Sequence, residues 1–338
     1  MPTPLPPRPP LPRQLASPHP LREFYQSEWN QQLAEHVAMR ARDWLAEDLG
    51  HECDWTSVAV VHKSACAELQ IVSRTQGVIA GLPVAEVVAQ VADPQLQWQA
   101  FVADGTAVDR GTHVATLKGL TRSILSAERV LLNTLGRLSG VATATRQLVD
   151  NVAGMPCRVY DTRKTVPGWR LLDKYATRMG GGWNHRMGLY DAILIKDNHR
   201  AAMAAAGIDY TEAVQRARTF LMQTFPPTRA TEMIIEIELD TVLQTKELLQ
   251  SLSNLKLSDC MLPDVLLLDN MSPAQLSECV ALRNALQPAI LLEASGGIRP
   301  ETVAATASTG VDRVSTGWPT HNAPWLDLGL DWGTDSAG

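Results

Sequence analysis

The sequence has few cysteines and no long apolar run. Its 338 residues contain five cysteines, none in a Cys-x-x-Cys pair, which excludes a disulfide framework and favours reduced thiols. No uninterrupted apolar stretch is long enough to cross a bilayer. These absences predict a protein without a membrane partner, and we place it in the cytoplasm.

The chain also lacks an excess of positive charge. Its formal net charge of −6 argues against a nucleic-acid partner, because phosphate backbones are bound chiefly by cationic surfaces. The charge is unevenly distributed, however, since nine Lys or Arg residues and only four Asp lie between Arg158 and Arg200. We therefore expect a local anion site in an acidic protein.

Regular metal-ligand spacing is missing as well. His51, Cys53, His62 and Cys66 match no common zinc pattern. We interpret them as scattered loop and strand residues, with a zinc site as the minor alternative.

The N-terminus begins MPTPLPPRPPLP and has no apolar segment of the kind that a secretory signal requires. Arg8 and Arg13, without an early acid, resemble an organelle transit peptide, but so many prolines disfavour the amphipathic helix of such a peptide. We predict a disordered proline-rich tail over residues 1–25.

The rest of the chain reads as α/β. Apolar spacing predicts a helix from about Trp29 to Leu49, then short strands and glycine turns, and then a long helix from Ser126, as N-cap, to about Val152. The runs CRVYD, DAILIK, MIIEIEL, DVLLLD, AILLEAS and DRVST alternate with helical segments. Continuous apolar strands of this kind are typical of a parallel sheet, and a closed or nearly closed barrel is expected.

Polar residues follow almost every one of these strands. The carboxyl ends of barrel strands share one rim, where ligands and catalytic groups collect. The rim should carry Arg163, Lys164, Arg186 and Lys196, together with His185. Such a cluster suits a multiply anionic substrate, and solvated or salt-bridged charge is the alternative.

Glycine turns end two further strands, at Ser295 to Ile298 and at Thr316 and Gly317. Backbone N–H groups in such turns can bind a phosphate, although either turn alone is equally typical of plain structural glycine. Two turns at the ends of consecutive strands support each other.

Acidic residues complete the predicted rim. Glu236 and Glu238 face the same side of one strand, and Asp269 ends the next. They could hold Mg²⁺ or stabilise a developing positive charge, with structural pairing as the alternative, equally favoured for Glu236. Together these features suggest glycosyl transfer from an activated, phosphorylated ribose.

Several segments resemble the quinolinate phosphoribosyltransferase family: DTRKTVPGWRLLDKYA, GGGWNHRMGLYDAILIKDNH, LLLDNMS and LEASGGI. The similarity extends over roughly residues 30–332. It implies an N-terminal open-faced α/β sandwich over residues 26–135, completed by residues 318–338. It also implies an incomplete parallel α/β barrel, of the type II phosphoribosyltransferase kind, over residues 136–317.

The resemblance implies a reaction too. In that family quinolinate and 5-phosphoribosyl 1-pyrophosphate give nicotinate mononucleotide, CO₂ and pyrophosphate in NAD biosynthesis, with Mg²⁺. It further implies a homodimer, and leaves a higher oligomer open.

Residue roles follow from the matching motifs. Arg163, His185, Arg186 and Lys196 resemble the groups that hold the two carboxylates, and Arg129 resembles an arginine that reaches the neighbouring subunit's site. Lys164 resembles the lysine that meets the phosphoribosyl donor, and Thr162 is expected to bind substrate. Glu238 and Asp269 resemble the acids near the ribose and the metal, which they could hold through water. The 5-phosphate loops correspond to Ser295, Gly296 and Gly297 and to Thr316 and Gly317. We expect Lys164, Lys196, Glu238 and Asp269 to be catalytic.

Three tryptophans, Trp169, Trp183 and Trp318, depart from the family pattern, and they either narrow the pocket or pack outward. Three other functions stay open. They are a related transferase with another acceptor, a Schiff-base aldolase that uses Lys196, and a metabolite-binding regulator without turnover.

Overall fold

The computed structural model describes residues 22–255 and 261–332, which form two α/β units that share one long helix. The first unit contains helices α1 (Gln31–Leu49), α2 (Trp55–Val60) and α3 (Leu82–Ala92). Its strands are β1 (Cys66–Ser73), β2 (Gly77–Val78), β3 (Gln97–Ala100), β4 (Ala107–Val108) and β5 (His113–Leu120). The shared helix is α4 (Thr121–Asn151).

The second unit alternates strands with helices. Its strands are β6 (Arg158–Tyr160), β7 (Ile193–Ile195), β8 (Ile235–Leu239), β9 (Val265–Asp269), β10 (Leu291–Ser295) and β11 (Arg313–Ser315). Its helices are α5 (Arg170–Met179), α6 (Asp197–Ala205), α7 (Tyr210–Thr224), α8 (Pro227–Glu232), α9 (Val242–Asn254), α10 (Pro273–Leu286), α11 (Pro300–Ala307) and α12 (Trp318–Asn322). The last described strand, β12 (Leu328–Trp332), returns to the first unit.

The first unit is a four-stranded antiparallel sheet, in the order β12-β1-β5-β3, with helices packed on one face. Helix α1 forms where the sequence predicts it. The side chain of Asn30 accepts a hydrogen bond from Leu33 N–H at its start, and Leu33, Val37, Ala41 and Leu45 are buried at four-residue intervals. β12 pairs with β1 from Leu69↔Trp332 to Ser73↔Leu328, so residues from the end of the chain complete this sheet.

Helix α4 begins earlier than the sequence predicts. Its N-cap is Leu120, without a side-chain cap hydrogen bond, so Ser126 lies inside the helix and does not cap it. Because the helix continues to Asn151, the predicted domain boundary between residues 135 and 136 lies in the middle of one continuous helix.

The second sheet is entirely parallel, in the order β6-β11-β10-β9-β8-β7. Residues such as Ile237, Leu266 and Leu292 point outward into the apolar layer under the helices. The alternate residues face the inside, where their side chains meet across the sheet. Within the described residues no ladder joins β7 to β6. The sheet is therefore an incomplete barrel, as predicted.

The chain before α1 closes the amino-terminal end of this barrel. Phe24 is 4% exposed and packs with Tyr160, Val265 and Leu291, and Arg22 forms a salt bridge with Asp264. Residues 22–25 therefore differ from the predicted tail, because the buried ring of Phe24 and the salt bridges of Arg22 and Glu23 hold them, while Tyr25 is 55% exposed. Residues 1–21 of that tail lie outside the described residues.

No helix among the residues described combines the length and apolar character that crossing a membrane requires. Cys53, Cys66, Cys157 and Cys279 are free thiols, while Cys260 lies outside the described residues.

Candidate active site

The carboxyl ends of the barrel strands surround a cavity of about 680 Å³. It brings together almost every residue that the sequence suggests for a site. These are Thr162, Arg163, Lys164, His185, Arg186, Lys196, Glu238, Asp269, Ser295, Gly296, Gly297, Thr316 and Gly317. The convergence follows from the parallel sheet, which turns every strand end toward one rim.

Arg129 is not among these residues. It is exposed on α4 and lines a different cavity of about 410 Å³, together with Trp44, Trp169 and Trp325. Within one chain the structure therefore separates Arg129 from the other predicted substrate-binding residues.

One wall of the rim cavity is cationic. Arg163 and Arg186 form no salt bridge with any described residue, and the buried Nε of Arg163 has no hydrogen-bond partner there. Burial and the neighbouring Arg163 lower the pKa of Arg186, because two nearby cations oppose each other's charge. Glu236 and Asp191 partly offset the positive charge of Arg186, but no acid among the described residues forms an ion pair with either arginine, so this wall can accept anionic groups of a ligand.

A second part of the rim pairs opposite charges. Lys196 Nζ lies 2.6 Å from Glu238 Oε2, and the backbone N–H of Asp197 donates to Glu238 Oε1 at 3.2 Å. Burial and the nearby Glu238 raise the pKa of Asp269, so the two carboxylates repel each other. A cation between them would relieve that repulsion.

His185 lies at the bottom of the cavity and is 6% exposed. Its Nε2 is 3.0 Å from Glu236 and 3.4 Å from Glu293. Burial opposes the charged ring, but the two acids outweigh it and raise the pKa of His185 to about 9. Nδ1 lies 2.8 Å from the backbone nitrogen of Arg186, and it accepts a hydrogen bond from that N–H only when the ring is neutral, because a charged ring is a donor at both nitrogens. Both ring nitrogens therefore lie close to groups of the protein, and His185 joins the rim cavity that it lines to the buried acids below it. Its contact with a substrate stays a prediction.

Glu236 therefore has a structural role, which the sequence left equally balanced with a functional one. His185, Glu236 and Glu293 form the only trio of His, Cys, Asp or Glu side chains in the described part of the chain with metal-binding spacing. The charge of the two acids is compensated by the His185 ring and by Arg313 on β11. His51, Cys53, His62 and Cys66 form no such group.

Two residues that no sequence pattern singled out, Asp161 and Lys174, hold the segment Asn184 to Arg186 in place. Asp161 accepts hydrogen bonds from Lys174 Nζ at 2.6 Å, from Asn184 Nδ2 at 2.8 Å and from His185 N–H at 2.8 Å. Lys174 Nζ also donates to the carbonyl of His185 at 2.9 Å. A lysine and an aspartate that are both buried must be paired, and their place within the motif segment DTRKTVPGWRLLDKYA was the available signal.

The glycine turns close the other side of the cavity. Gly296 has φ +95°, and a side chain there would meet Asn270 Oδ1 at 2.1 Å, so only glycine fits. Thr316 Oγ1 donates to the carbonyl of Ile298 at 2.8 Å and accepts from Trp318 N–H at 3.1 Å. The two turns are thus joined directly, as neighbouring parts of one phosphate site would be.

Of the three unusual tryptophans, only Trp318 lines the rim cavity, and it also packs against the main core. Trp169 stacks on Trp44, and Trp183 lies under the guanidinium of Arg158. Two of the three therefore pack elsewhere and do not narrow the cavity.

The glycines that precede the segment Asn184 to Arg186 allow close packing and do not make the chain flexible. A side chain at Gly180 would lie 2.4 Å from the carbonyl oxygen of Ala142, and one at Gly182 would lie 2.6 Å from Thr145. The end of α5 therefore approaches α4 closely enough that larger residues would separate the two helices.

Comparison with known proteins matches most of the chain to one family. The family model described as the N-terminal domain of quinolinate phosphoribosyl transferase matches residues 54–139, and the corresponding C-terminal domain matches residues 141–331. A protein of Mycobacterium leprae named nicotinate-nucleotide pyrophosphorylase (carboxylating) is 38% identical over 289 residues, which cover 85% of this chain and 94% of that protein. A mitochondrial quinolinate phosphoribosyltransferase (decarboxylating) of Nicotiana tabacum is 35% identical over 302 residues, covering 87% and 81%.

Solved structures show the same similarity. The nicotinate-nucleotide pyrophosphorylase of Francisella tularensis matches with a TM-score of 0.78 and 30% identity, over 92% of this chain and 100% of that one. The enzyme of that name from Ehrlichia chaffeensis matches with a TM-score of 0.74 and 33% identity, over 88% and 98%.

Proposed function

This chain belongs to the quinolinate phosphoribosyltransferase family, and we propose on that basis a reaction for its rim cavity. It transfers the phosphoribosyl group of 5-phosphoribosyl 1-pyrophosphate to quinolinate, and it releases CO₂ and pyrophosphate. The product is nicotinate mononucleotide, which makes the protein an enzyme of NAD biosynthesis. The observation that carries this proposal is a pair of arginines without salt bridges among the described residues, placed in one cavity with two joined glycine turns.

The cationic wall binds the two carboxylates. Arg163 and Arg186 present guanidinium groups, which bind carboxylates through paired hydrogen bonds. His185 acts from below by fixing the backbone at Arg186. An acceptor with one carboxylate would leave part of this positive charge unneutralised, which favours the diacid.

The opposite wall binds the sugar phosphate. The turn Ser295 to Gly297 and the turn Thr316 to Gly317 offer backbone N–H groups to the 5-phosphate. Lys164 lies beside them, because Thr320 Oγ1 donates to the carbonyl of Lys164 at 2.7 Å. Glu238 and Asp269 face the ribose, where their negative charge stabilises a developing oxocarbenium ion.

The chemistry needs orientation more than acid–base groups. The ring nitrogen of quinolinate forms a bond to C1 of the ribose as the bond to pyrophosphate breaks. The nitrogen then carries positive charge, and this charge stabilises the electron pair that stays on the ring when the adjacent carboxylate leaves as CO₂. That carbon takes up a proton. By holding both substrates in one cavity, the protein makes the first step effectively unimolecular.

We propose Mg²⁺ as the cofactor, held by Glu238 and Asp269, directly or through water. Two carboxylates whose mutual repulsion raises the pKa of Asp269 fit a hard divalent cation, which prefers oxygen ligands. When bound, the ion would neutralise charge on the pyrophosphate.

We further propose a homodimer, or a higher oligomer built from it, in which Arg129 completes the partner's site. In the single chain Arg129 is exposed and remote from the rim cavity. Val166 and Trp325 line the same surface and are 47% and 53% exposed, which suits a subunit contact.

The function is tested with purified protein, quinolinate, 5-phosphoribosyl 1-pyrophosphate and Mg²⁺. We expect loss of quinolinate absorbance with stoichiometric release of CO₂, and no reaction when nicotinate replaces quinolinate. Turnover of nicotinate alone would overturn the choice of acceptor, and inactivity with both would overturn the proposed function.

Mixing two inactive variants tests the dimer. Arg129→Ala and Lys196→Ala subunits are each expected to lack activity, but a mixed dimer contains one intact site. After subunit exchange, equal amounts should regain about a quarter of wild-type activity, because half of the dimers are mixed and each has one working site. No recovery despite demonstrated exchange would contradict the shared site.

We keep the cytoplasm as the proposed location. Fractionation with a C-terminal tag, which leaves the proline-rich N-terminus free, tests it.

A further inference from the structure

The chain segment 23–27, here called the strap, is attached to the cavity floor. The side-chain amide of Gln26 donates to the carbonyl of Asn184 at 3.0 Å and accepts from the N–H of Asn184 at 2.8 Å. Ser27 N–H donates to Asn184 Oδ1 at 2.7 Å. Three hydrogen bonds thus join the strap to the residue directly before His185.

The same strap supports the His185 ring. The rings of Phe24 and His185 stack with their centroids 4.3 Å apart and their planes 26° apart. Since Nε2 faces two acids and Nδ1 faces the N–H of Arg186, the Phe24 contact adds a support on the ring's face. The orientation of His185 therefore depends on a residue 161 positions earlier in the chain.

Glu23 carries the negative charge that pairs with the buried cations around the strap. It accepts from Tyr160 Oη at 2.7 Å and forms a salt bridge of 3.0 Å with Arg158. Arg313 lies 3.5 Å from the same carboxylate. Glu23 therefore compensates cations that would be costly to bury alone.

We propose that the strap is a positioning element for the diacid side of the cavity. It fixes Asn184 and His185, and through the N–H contact at Nδ1 it sets the position of Arg186. The strap touches no substrate. This inference rests on the proposed function, and it adds to the site a segment that lies before the residues matched by either family model.

The proposal predicts a selective effect. The contacts of Phe24, Gln26 and Ser27 converge on Asn184 and His185, whereas the glycine turns are held by Ile298, Asn270 and Thr316. Loosening the strap should therefore weaken binding of quinolinate and leave binding of the phosphoribosyl donor unchanged. A purely structural role would lower stability without that distinction.

The decisive variant is Gln26→Glu, which keeps the size of the side chain and its acceptor but places a carboxylate oxygen against the carbonyl of Asn184. Phe24→Ala removes the stacking ring, and Phe24→Leu restores apolar volume. Arg22→Ala is the matched control, because Arg22 precedes the strap and bonds to Asp264 and the carbonyl of Thr231, neither of which lines the rim cavity.

Two measurements below each variant's melting temperature are needed: KM for both substrates, and the Kd of quinolinate by calorimetry. A misplaced binding group commonly costs a factor of ten or more. We expect Gln26→Glu and Phe24→Ala to raise KM and Kd for quinolinate about tenfold, with KM for the donor within about twofold. Phe24→Leu should recover most of the loss, and Arg22→Ala should resemble wild type.

Equal rises in both KM values, or unchanged quinolinate binding in Gln26→Glu and Phe24→Ala, would overturn the strap proposal while the proposed function survives. Wild-type protein that does not bind quinolinate would overturn the proposed function, and the strap proposal with it.

Discussion

The two ends of the barrel interior are both rich in charge, but they use it differently. At the rim, Arg163 and Arg186 form no salt bridge within the described residues, and one lowers the pKa of the other. At the floor, Arg313, Glu236 and Glu293 are 0–2% exposed, and each faces opposite charge. Charged residues at the floor therefore pair with one another and stabilise the fold, whereas the arginines at the rim are available to bind a ligand.

The comparison indicates how to tell a binding group from a structural one. A buried charge is costly unless it is paired, so a cation that the protein leaves unpaired in a cavity must gain its partner from the ligand. Lys196 is intermediate, because Glu238 already pairs with it at the rim.

The largest effect that tests the contrast between rim and floor is expected for Arg186→Ala. Removing a cation that binds and orients quinolinate should lower kcat/KM for quinolinate by about a thousandfold, with the melting temperature unchanged or raised. Steady-state kinetics and thermal unfolding measure both quantities. Arg216→Ala, on the exposed face of α7, is the control and should keep full activity. A large loss of stability in Arg186→Ala would mean that the rim is structural.

The converse change at the floor is Arg313→Met. It keeps bulk but leaves Glu23, Glu236 and Glu293 without their shared cation, so the free energy of unfolding should fall by about 3 kcal/mol or more. Urea unfolding measures it. Unchanged stability would show that the floor acids do not need Arg313, and the contrast between floor and rim would lose its basis.

A smaller effect is expected for Asp173 on α5, which pairs at 2.8 Å with the partly exposed Arg137. Burial, partly offset by Arg137, raises the pKa of Asp173 from 3.8 to about 6. The folded protein then binds this proton more tightly than the unfolded chain, so this contribution to stability is full below pH 4 and is lost as the pH rises to 6.

Asp173→Asn should therefore flatten the pH dependence of unfolding between pH 4 and 7, by at most about 3 kcal/mol. Urea unfolding at several pH values measures the slope. An identical slope in variant and wild type would place the titration elsewhere.

Much of this arrangement could be predicted from local pattern. Strand runs that end in polar residues predicted the rim, because a parallel sheet brings all carboxyl ends together. Glycine turns after β10 and β11 were equally visible. Alternation within MIIEIEL placed Glu236 and Glu238 on one face, although it could not tell that Glu236 lies in the floor and Glu238 at the rim.

The features that local pattern did not predict depend on contacts between residues that are far apart in the sequence. Phe24 lies in a proline-rich neighbourhood and resembles a tail residue until its contact with His185 is known. The start of α4 was missed because Leu120 offers no capping side chain. The separation of Arg129 from the rim cavity of its own chain agrees with what the resemblance implied, although no local pattern predicts it.

Helix α4 has one further consequence. Thirty-one residues without a break run from the antiparallel sheet to the flank of the barrel, and α12 and β12 lie against the same rod. The boundary between the two matched domains is therefore a poor place to divide the chain: a gene cut near residue 140 would yield two fragments, each with half a helix and an uncovered apolar side. Chimaeras that exchange one half with a relative should be joined outside residues 121–151.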